Sequence, residues 1–135
     1  ALAETVDIYP PLAELAGLPP PAATVPQPFD GKSLATVLAD PTTTVKDHAY
    51  HAYPRGQQGQ TRMIGRAIRT ARYRLVEWKR PGAPSATADY ELYDYEQDPL
   101  EKLNIAATQP DVLAELKTIL ATLPEAKAQR QRQQE

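Results

Sequence analysis

Cysteine is absent from this sequence, and Phe, Trp and Met occur once each. The missing cysteine excludes disulfides, thiolate metal sites and a cysteine nucleophile, while leaving the compartment open. No stretch approaches the ~20 apolar residues that a membrane-spanning helix needs. A strong charge of either sign is also missing: the formal net charge is −2, which gives no argument for nucleic acid or a membrane surface as partner. There is no serine in a nucleophile-elbow pattern and no glycine-rich phosphate loop. The start, Ala1-Leu2-Ala3-Glu4, has neither an initiator Met nor a basic leader region, so the sequence is expected to be a fragment or a processed product.

What is present is one domain's length, 135 residues, interrupted by 14 prolines. In "TVDIYPPLAELAGLPPP", Leu12, Leu15 and Ala16 recur at helical spacing. Pro10 and Pro11 suit a first turn and Gly17 suits the position after the helix end. Residues 19–31 read as a proline-rich connection ending at an Asp30-Gly31 turn, after which Ser33 caps a short helix stopped by Asp40-Pro41. "HAYHAYPR" (48–55) alternates as a strand does, and "GQQGQ" (56–60) is a polar loop. Residues 62–79 predict two strands with a tight turn near Thr70-Ala71, and "YELYDYE" predicts another. Asp98-Pro99 with Glu101 predicts a single capped helical turn, and Thr108-Gln109-Pro110-Asp111 a capping-box start to the last helix. That helix carries Val112, Leu113, Leu116, Ile119, Leu120 and Leu123 on one stripe, ends near Pro124 and is followed by a solvated tail. The fold class implied is α+β: a small antiparallel sheet of three to four strands under a C-terminal amphipathic helix. Residues 1–47 form an N-terminal helix and connecting arm, and residues 48–135 the sheet and final helix.

Charge is divided along the strands. Eight cations stand between Arg55 and Arg80 against Glu77 alone, and six acids between Asp89 and Lys102 against one lysine. Either the neighbouring strands neutralise each other, or some arginines face a cleft and attract an anion. Nucleic acid is a poorer fit, because the aromatic interleaving that base stacking requires is thin. Asp94, Glu96 and Asp98 invite a calcium loop, but counting from Asp94 puts Pro99 and Ile105 where glycine and glutamate are required. His48 and His51 lie three apart beside Asp47; on a strand that spacing sends them to opposite faces, and two histidines make a poor zinc site. A contact to substrate from one of them is the other reading. Trp78, followed by Lys79-Arg80, is either core or a flat apolar face for a sugar ring.

In order, these pieces resemble the C-terminal part of the sulfatase family, within the alkaline-phosphatase-like superfamily. The similarity is greatest to bacterial relatives of iduronate-2-sulfatase. It is carried by "TVDIYPPLAELAGLPPP", "FDGKSLATVLADP", "AYHAYPRG", "MIGRAIRTARYRLVEW" and "ELYDYEQDPLEKLNIA". Ala52 and Arg66 depart from the Gln and Tyr usual in that branch. The resemblance implies hydrolysis of sulfate esters by a formylglycine nucleophile with a calcium ion, both expected in an N-terminal catalytic domain or heavy chain. It implies no catalytic and no metal-binding residue in this chain, which alone is expected to be inactive. It implies a lobe forming one wall of the cleft for a sulfated carbohydrate such as a glycosaminoglycan, with His51, Tyr53, Arg55, Arg66 and Trp78 as substrate-binding residues. An exported enzyme is implied, periplasmic or secreted in a bacterium and lysosomal in an animal. A stand-alone module binding anionic glycans and the same lobe of a phosphodiesterase relative are the alternatives.

Overall fold

The computed structural model describes residues 1–19, 30–56 and 62–127. Most of the proline-rich connection, the polar loop after residue 56 and the end of the tail lie outside them. The chain divides into two compact units, residues 1–49 and 50–135.

In the first unit a 3-10 turn, Thr5–Asp7, leads into helix α1, Tyr9–Leu15, with proline at its start. Gly17 follows at φ 67°, a left-handed geometry that glycine takes without steric cost, so the predicted stop is the observed one. Helix α2 spans Ala35–Ala39. Its N-cap is Leu34, without a side-chain cap, and not the expected Ser33, whose Oγ accepts the Ala35 N–H at 3.2 Å from one residue further out; Asp40 ends the helix by accepting both the N–H and the hydroxyl of Thr42.

A buried carboxylate joins these segments. Asp7 is 0% exposed. It accepts the backbone N–H groups of Glu4 (2.7 Å) and Lys32 (2.8 Å), and Lys46 Nζ lies 2.7 and 2.9 Å from its two oxygens. Residue 31 fits against this hub only without a side chain, since a Cβ there would stand 1.9 Å from the Val6 carbonyl oxygen. Gly31→Ala is expected to cost about 1–3 kcal/mol through forced displacement of the Val6 backbone. Urea unfolding measures it, and an unchanged midpoint would show that the segment yields freely.

The second unit is built on a four-stranded antiparallel sheet in the order β1-β2-β3-β4. Its strands are β1 (His48–Arg55), β2 (Met63–Thr70), β3 (Tyr73–Lys79) and β4 (Asp89–Asp94). Thr70 Oγ1 accepts the Tyr73 N–H and so closes the β2–β3 turn. The resulting register sets Gly65 opposite Trp78, Arg66 opposite Glu77, and Trp78 opposite Asp89. Helix α3, Pro110–Ala121, covers one face. Ile68, Leu75, Leu92, Leu116 and Leu120 form the core there, flanked by Tyr50, Tyr73, Tyr90 and the rest of the predicted α3 stripe. Each fully buried aliphatic contributes about 1.5–3 kcal/mol relative to exposure, which fixes the alternation of the strands.

Two further predicted caps take other forms. The α3 N-cap is Gln109, without a side-chain cap, while the Thr108 hydroxyl donates to the Ile105 carbonyl. Thr108 already belongs to the preceding turn, so the helix begins one residue too late for a capping box. After β4, Asp98 accepts the Leu103 N–H at 2.8 Å. Glu101 does not return to cap Asp98; it stands at φ 55° with its carboxylate on Arg74 (2.9 Å) and the Tyr95 hydroxyl. A charge-assisted bond to a guanidinium outweighs a bond to a neutral N–H, which is why the reciprocal cap does not form.

Candidate functional site

Strand alternation separates the five residues singled out as substrate contacts. Tyr50 and Ile68 face α3. His51, Tyr53 and Arg55 therefore project from the opposite face of β1, and Trp78, one place out of step with Leu75 and Glu77, shares that face. Arg66, two residues before Ile68, lies on the helix side. The structure brings four of the five together and sets Arg66 apart.

Arg66 is occupied. Its side chain is 4% exposed; Nε and Nη2 lie 2.9 and 2.8 Å from Glu77 Oε1. It also donates to the carbonyls of Leu123 and Pro124, and Glu125 is 3.2 Å away. Lys79 bridges Glu77 (3.5 Å) and Glu125 (2.9 Å), and Tyr90 donates to Glu77 at 3.0 Å. Burial raises the pKa of Glu77, but hydrogen bonds from Ser85 and Arg66 and the Arg66 charge outweigh it and hold the carboxyl below its ordinary value. The Tyr90 phenol is pushed up to about 12 by burial and by Glu77. A cavity of about 240 Å³ adjoins these groups, with Lys117 and Leu120 on its rim. The cluster binds α3's C-terminal end to the sheet through Glu77 and Glu125, two acids outside the 89–102 stretch that was expected to neutralise the cations. The expected neutralisation between the basic and acidic stretches is seen in Arg72 on Asp94 (2.7 Å) and Arg74 on Glu101.

On the open face, Trp78 lies flat on β2. A Cβ at position 65 would approach its ring atoms to 2.6–2.9 Å, so glycine is what lets the indole down onto the sheet. The Arg55 guanidinium stands over the same ring, 5.3 Å from its centroid, and Arg55 Nη1 is 3.9 Å from Glu91. With β2 beneath and Arg55 above, the indole is packed between the sheet and a cation. Tyr93 donates to Glu91 at 3.2 Å, and its phenol is raised by burial and then by the Glu91 charge. Arg74 lies over Tyr93 (5.6 Å) and Arg69 over Tyr95 (3.6 Å), so the face alternates cations, rings and acids. Glu91 and Tyr93 escaped the sequence reading. Their signal was parity, because Asp89, Glu91 and Tyr93 share a face with the direct partner of Asp89, Trp78.

Chemically this surface can hold and orient an anion. Among the described residues no group of three His, Cys, Asp or Glu side chains is placed to hold a metal ion, and the sequence contains no cysteine. These residues do not fit a calcium ion or a formylglycine.

Comparison with known proteins gives this geometry its context. The family model for N-sulphoglucosamine sulphohydrolase, C-terminal, matches residues 1–129. An uncharacterized sulfatase of Schizosaccharomyces pombe is 31% identical over 115 residues, covering 82% of this chain and 19% of the relative. A Bacteroides thetaiotaomicron protein from a glycosaminoglycan-metabolism locus (BT33336S-sulf) superposes with a TM-score of 0.56 at 25% identity, over 86% of this chain and 24% of its own. BT4656, solved in complex with its substrate D-glucosamine-2-N,6-O-disulfate, gives 0.58 at 25% identity, over 86% and 22%. The Bacteroides fragilis protein yidJ, at 0.61 and 24% identity over 86% and 23%, shares the fold, a four-stranded sheet with a C-terminal helix. The chain spans about a fifth to a quarter of the length of these relatives. With the family model matched over nearly its whole length, this chain belongs to the N-sulphoglucosamine sulphohydrolase C-terminal family and is a C-terminal domain of the sulfatase kind.

Proposed function

We propose that the chain is the smaller lobe, or light chain, of a sulfatase acting on sulfated sugars, and that its open sheet face forms one wall of the substrate cleft. The observation that carries this reading is the convergence of His51, Tyr53, Arg55 and Trp78 on the face that α3 leaves uncovered. Formylglycine and calcium, supplying nucleophile and Lewis acid, belong in this reading to the catalytic part. This chain contributes orientation and charge. Arg66 serves as the anchor of α3 and drops out of the wall, and Trp78 acts through Arg55. In the first unit Val6, Ile8, Leu12, Leu15 and Leu18 are each more than half exposed, an apolar set suited to packing on the catalytic domain. The enzyme is exported, periplasmic or secreted in a bacterium and lysosomal in an animal.

Two sugar classes follow from different sources. The strand and hairpin motifs favour a sulfated iduronate; the matched family is named for N-sulphoglucosamine, and the substrate bound to BT4656 is a glucosamine disulfate. The test is to assay this chain alone, and joined to its catalytic part, against an aryl sulfate, a sulfated glucosamine and a sulfated iduronate. Turnover is expected only from the joined protein, and release of sulfate by the chain alone would sink the proposal. In the joined protein, Tyr53→Ala is expected to raise KM about 3- to 10-fold, the loss of one hydrogen bond. It leaves stability within about 0.5 kcal/mol, because Tyr53 is a surface residue, 65% exposed.

A further inference from the structure

We infer that Arg55 reads a second anionic group on the sugar, a carboxylate or a sulfate other than the one cleaved, with Gly65, Trp78 and Glu91 as the positioning residues that hold it; this rests on the sulfatase reading above. The guanidinium is constrained from below by the indole, 5.3 Å from its centroid. The indole is in turn set by Gly65, its direct cross-strand partner, where any Cβ would push the ring away. From the side the guanidinium is drawn by Glu91 at 3.9 Å. That separation is beyond hydrogen-bond reach, so Glu91 orients the cation without using its N–H donors. Glu91 is itself steadied by the Tyr93 hydroxyl.

The Arg55 side chain is 67% exposed. A planar fork of donors, drawn in one direction and without a hydrogen-bond acceptor among the described residues, matches the two oxygens of a carboxylate or sulfate. An uncharged hydroxyl would use little of it. In this reading the scissile sulfate is held by the catalytic part, which carries the nucleophile and the metal. What remains for Arg55 is an anion at a distance from the reacting ester, which makes it a specificity determinant.

The experiment compares three substrates in the complete enzyme: a disulfated glucosamine, a sulfated uronic acid and a singly sulfated glucosamine. Arg55→Met is expected to raise KM about 10- to 100-fold for the substrate bearing the second anion, the loss of a charge-assisted bond, with kcat unchanged. The singly sulfated sugar is expected to change less than about 2-fold, and Arg55→Lys to restore part of the loss. Selective loss on the disulfate identifies a sulfate, and selective loss on the uronate identifies a carboxylate. Glu91→Gln and Gly65→Ala are expected to move KM the same way, about 3- to 10-fold. Glu91→Gln retains the test if Gly65→Ala fails to fold. Equal effects on all three substrates, or none, would overturn the inference while leaving the sulfatase reading in place. A complete enzyme that cleaves no sulfate ester overturns both.

Discussion

Arg66→Ala is expected to destabilise the chain by about 3–5 kcal/mol, the cost of breaking a buried ion pair from one side. Both partners are almost fully enclosed, the Arg66 side chain at 4% and Glu77 at 2% exposure. Alanine would leave the Glu77 carboxylate with Lys79 at 3.5 Å and the Tyr90 hydroxyl, and would free the Leu123 and Pro124 carbonyls that fasten the end of α3. The double replacement Arg66→Met with Glu77→Leu should recover much of the loss, since two apolar groups carry no stranded charge. The sign with pH is fixed by Glu77, whose folded pKa lies below its ordinary 4.5. Its contribution is complete above that value and is lost as pH falls through the lower folded value. As pH falls, the gap between parent and Arg66→Ala should therefore narrow, because without Arg66 the buried carboxylate takes up a proton at a higher pH than in the parent. Urea unfolding at pH 7 and pH 3 measures both effects. A loss under about 1 kcal/mol at pH 7 would show that water screens the pair as it does surface pairs.

Asp7→Ala is the second large effect, expected at about 3–5 kcal/mol for the same physical reason. The mutation removes the acceptor for two backbone N–H groups and the main counter-charge of Lys46, whose side chain is 8% exposed. Glu4, 2.5 Å from Lys46, is the one acid left to it among the described residues. Burial pushes the Asp7 carboxyl up, but its bonds from Lys46, Lys32 and Glu4 prevail and hold it below its ordinary 3.8. Its share of stability is thus present above 3.8 and disappears as pH falls through the lower folded value. Asp7→Ala should also expose residues 4–7 and 32 to hydrogen exchange. Unchanged protection at those amides would mean that the hub is not what joins these segments.

Asp7 joins "VDIYP" and "DGKSL", two of the stretches that carry the resemblance to the sulfatase family. The carboxylate of the first motif binds the backbone N–H of Lys32 in the second, and Gly31 lets the two backbones meet. Neither motif shows this alone, because a hydrogen bond across 25 residues leaves no local periodicity. The stretch from Tyr90 to Ala106 is a similar case. Its strand was readable from alternation and its turn from Asp98-Pro99, but the destination of Glu101 depended on where Arg74 came to lie.

By itself the sequence determined where the chain would be helical and where extended. Proline and glycine bound α1, the β2–β3 turn is short, and the α3 stripe has a 3.6-residue period; each is a local constraint. It also determined which residues share a face, since parity along a strand is a property of the backbone. Only the tertiary structure decided which face α3 would cover. Burial of Ile68, Leu75 and Leu92 under the helix carried Arg66 inside with them, where a charge must be paired. The same choice left His51, Tyr53, Arg55 and Trp78 on the other face, and the cross-strand register then laid the indole over Gly65 and Arg55 over the indole.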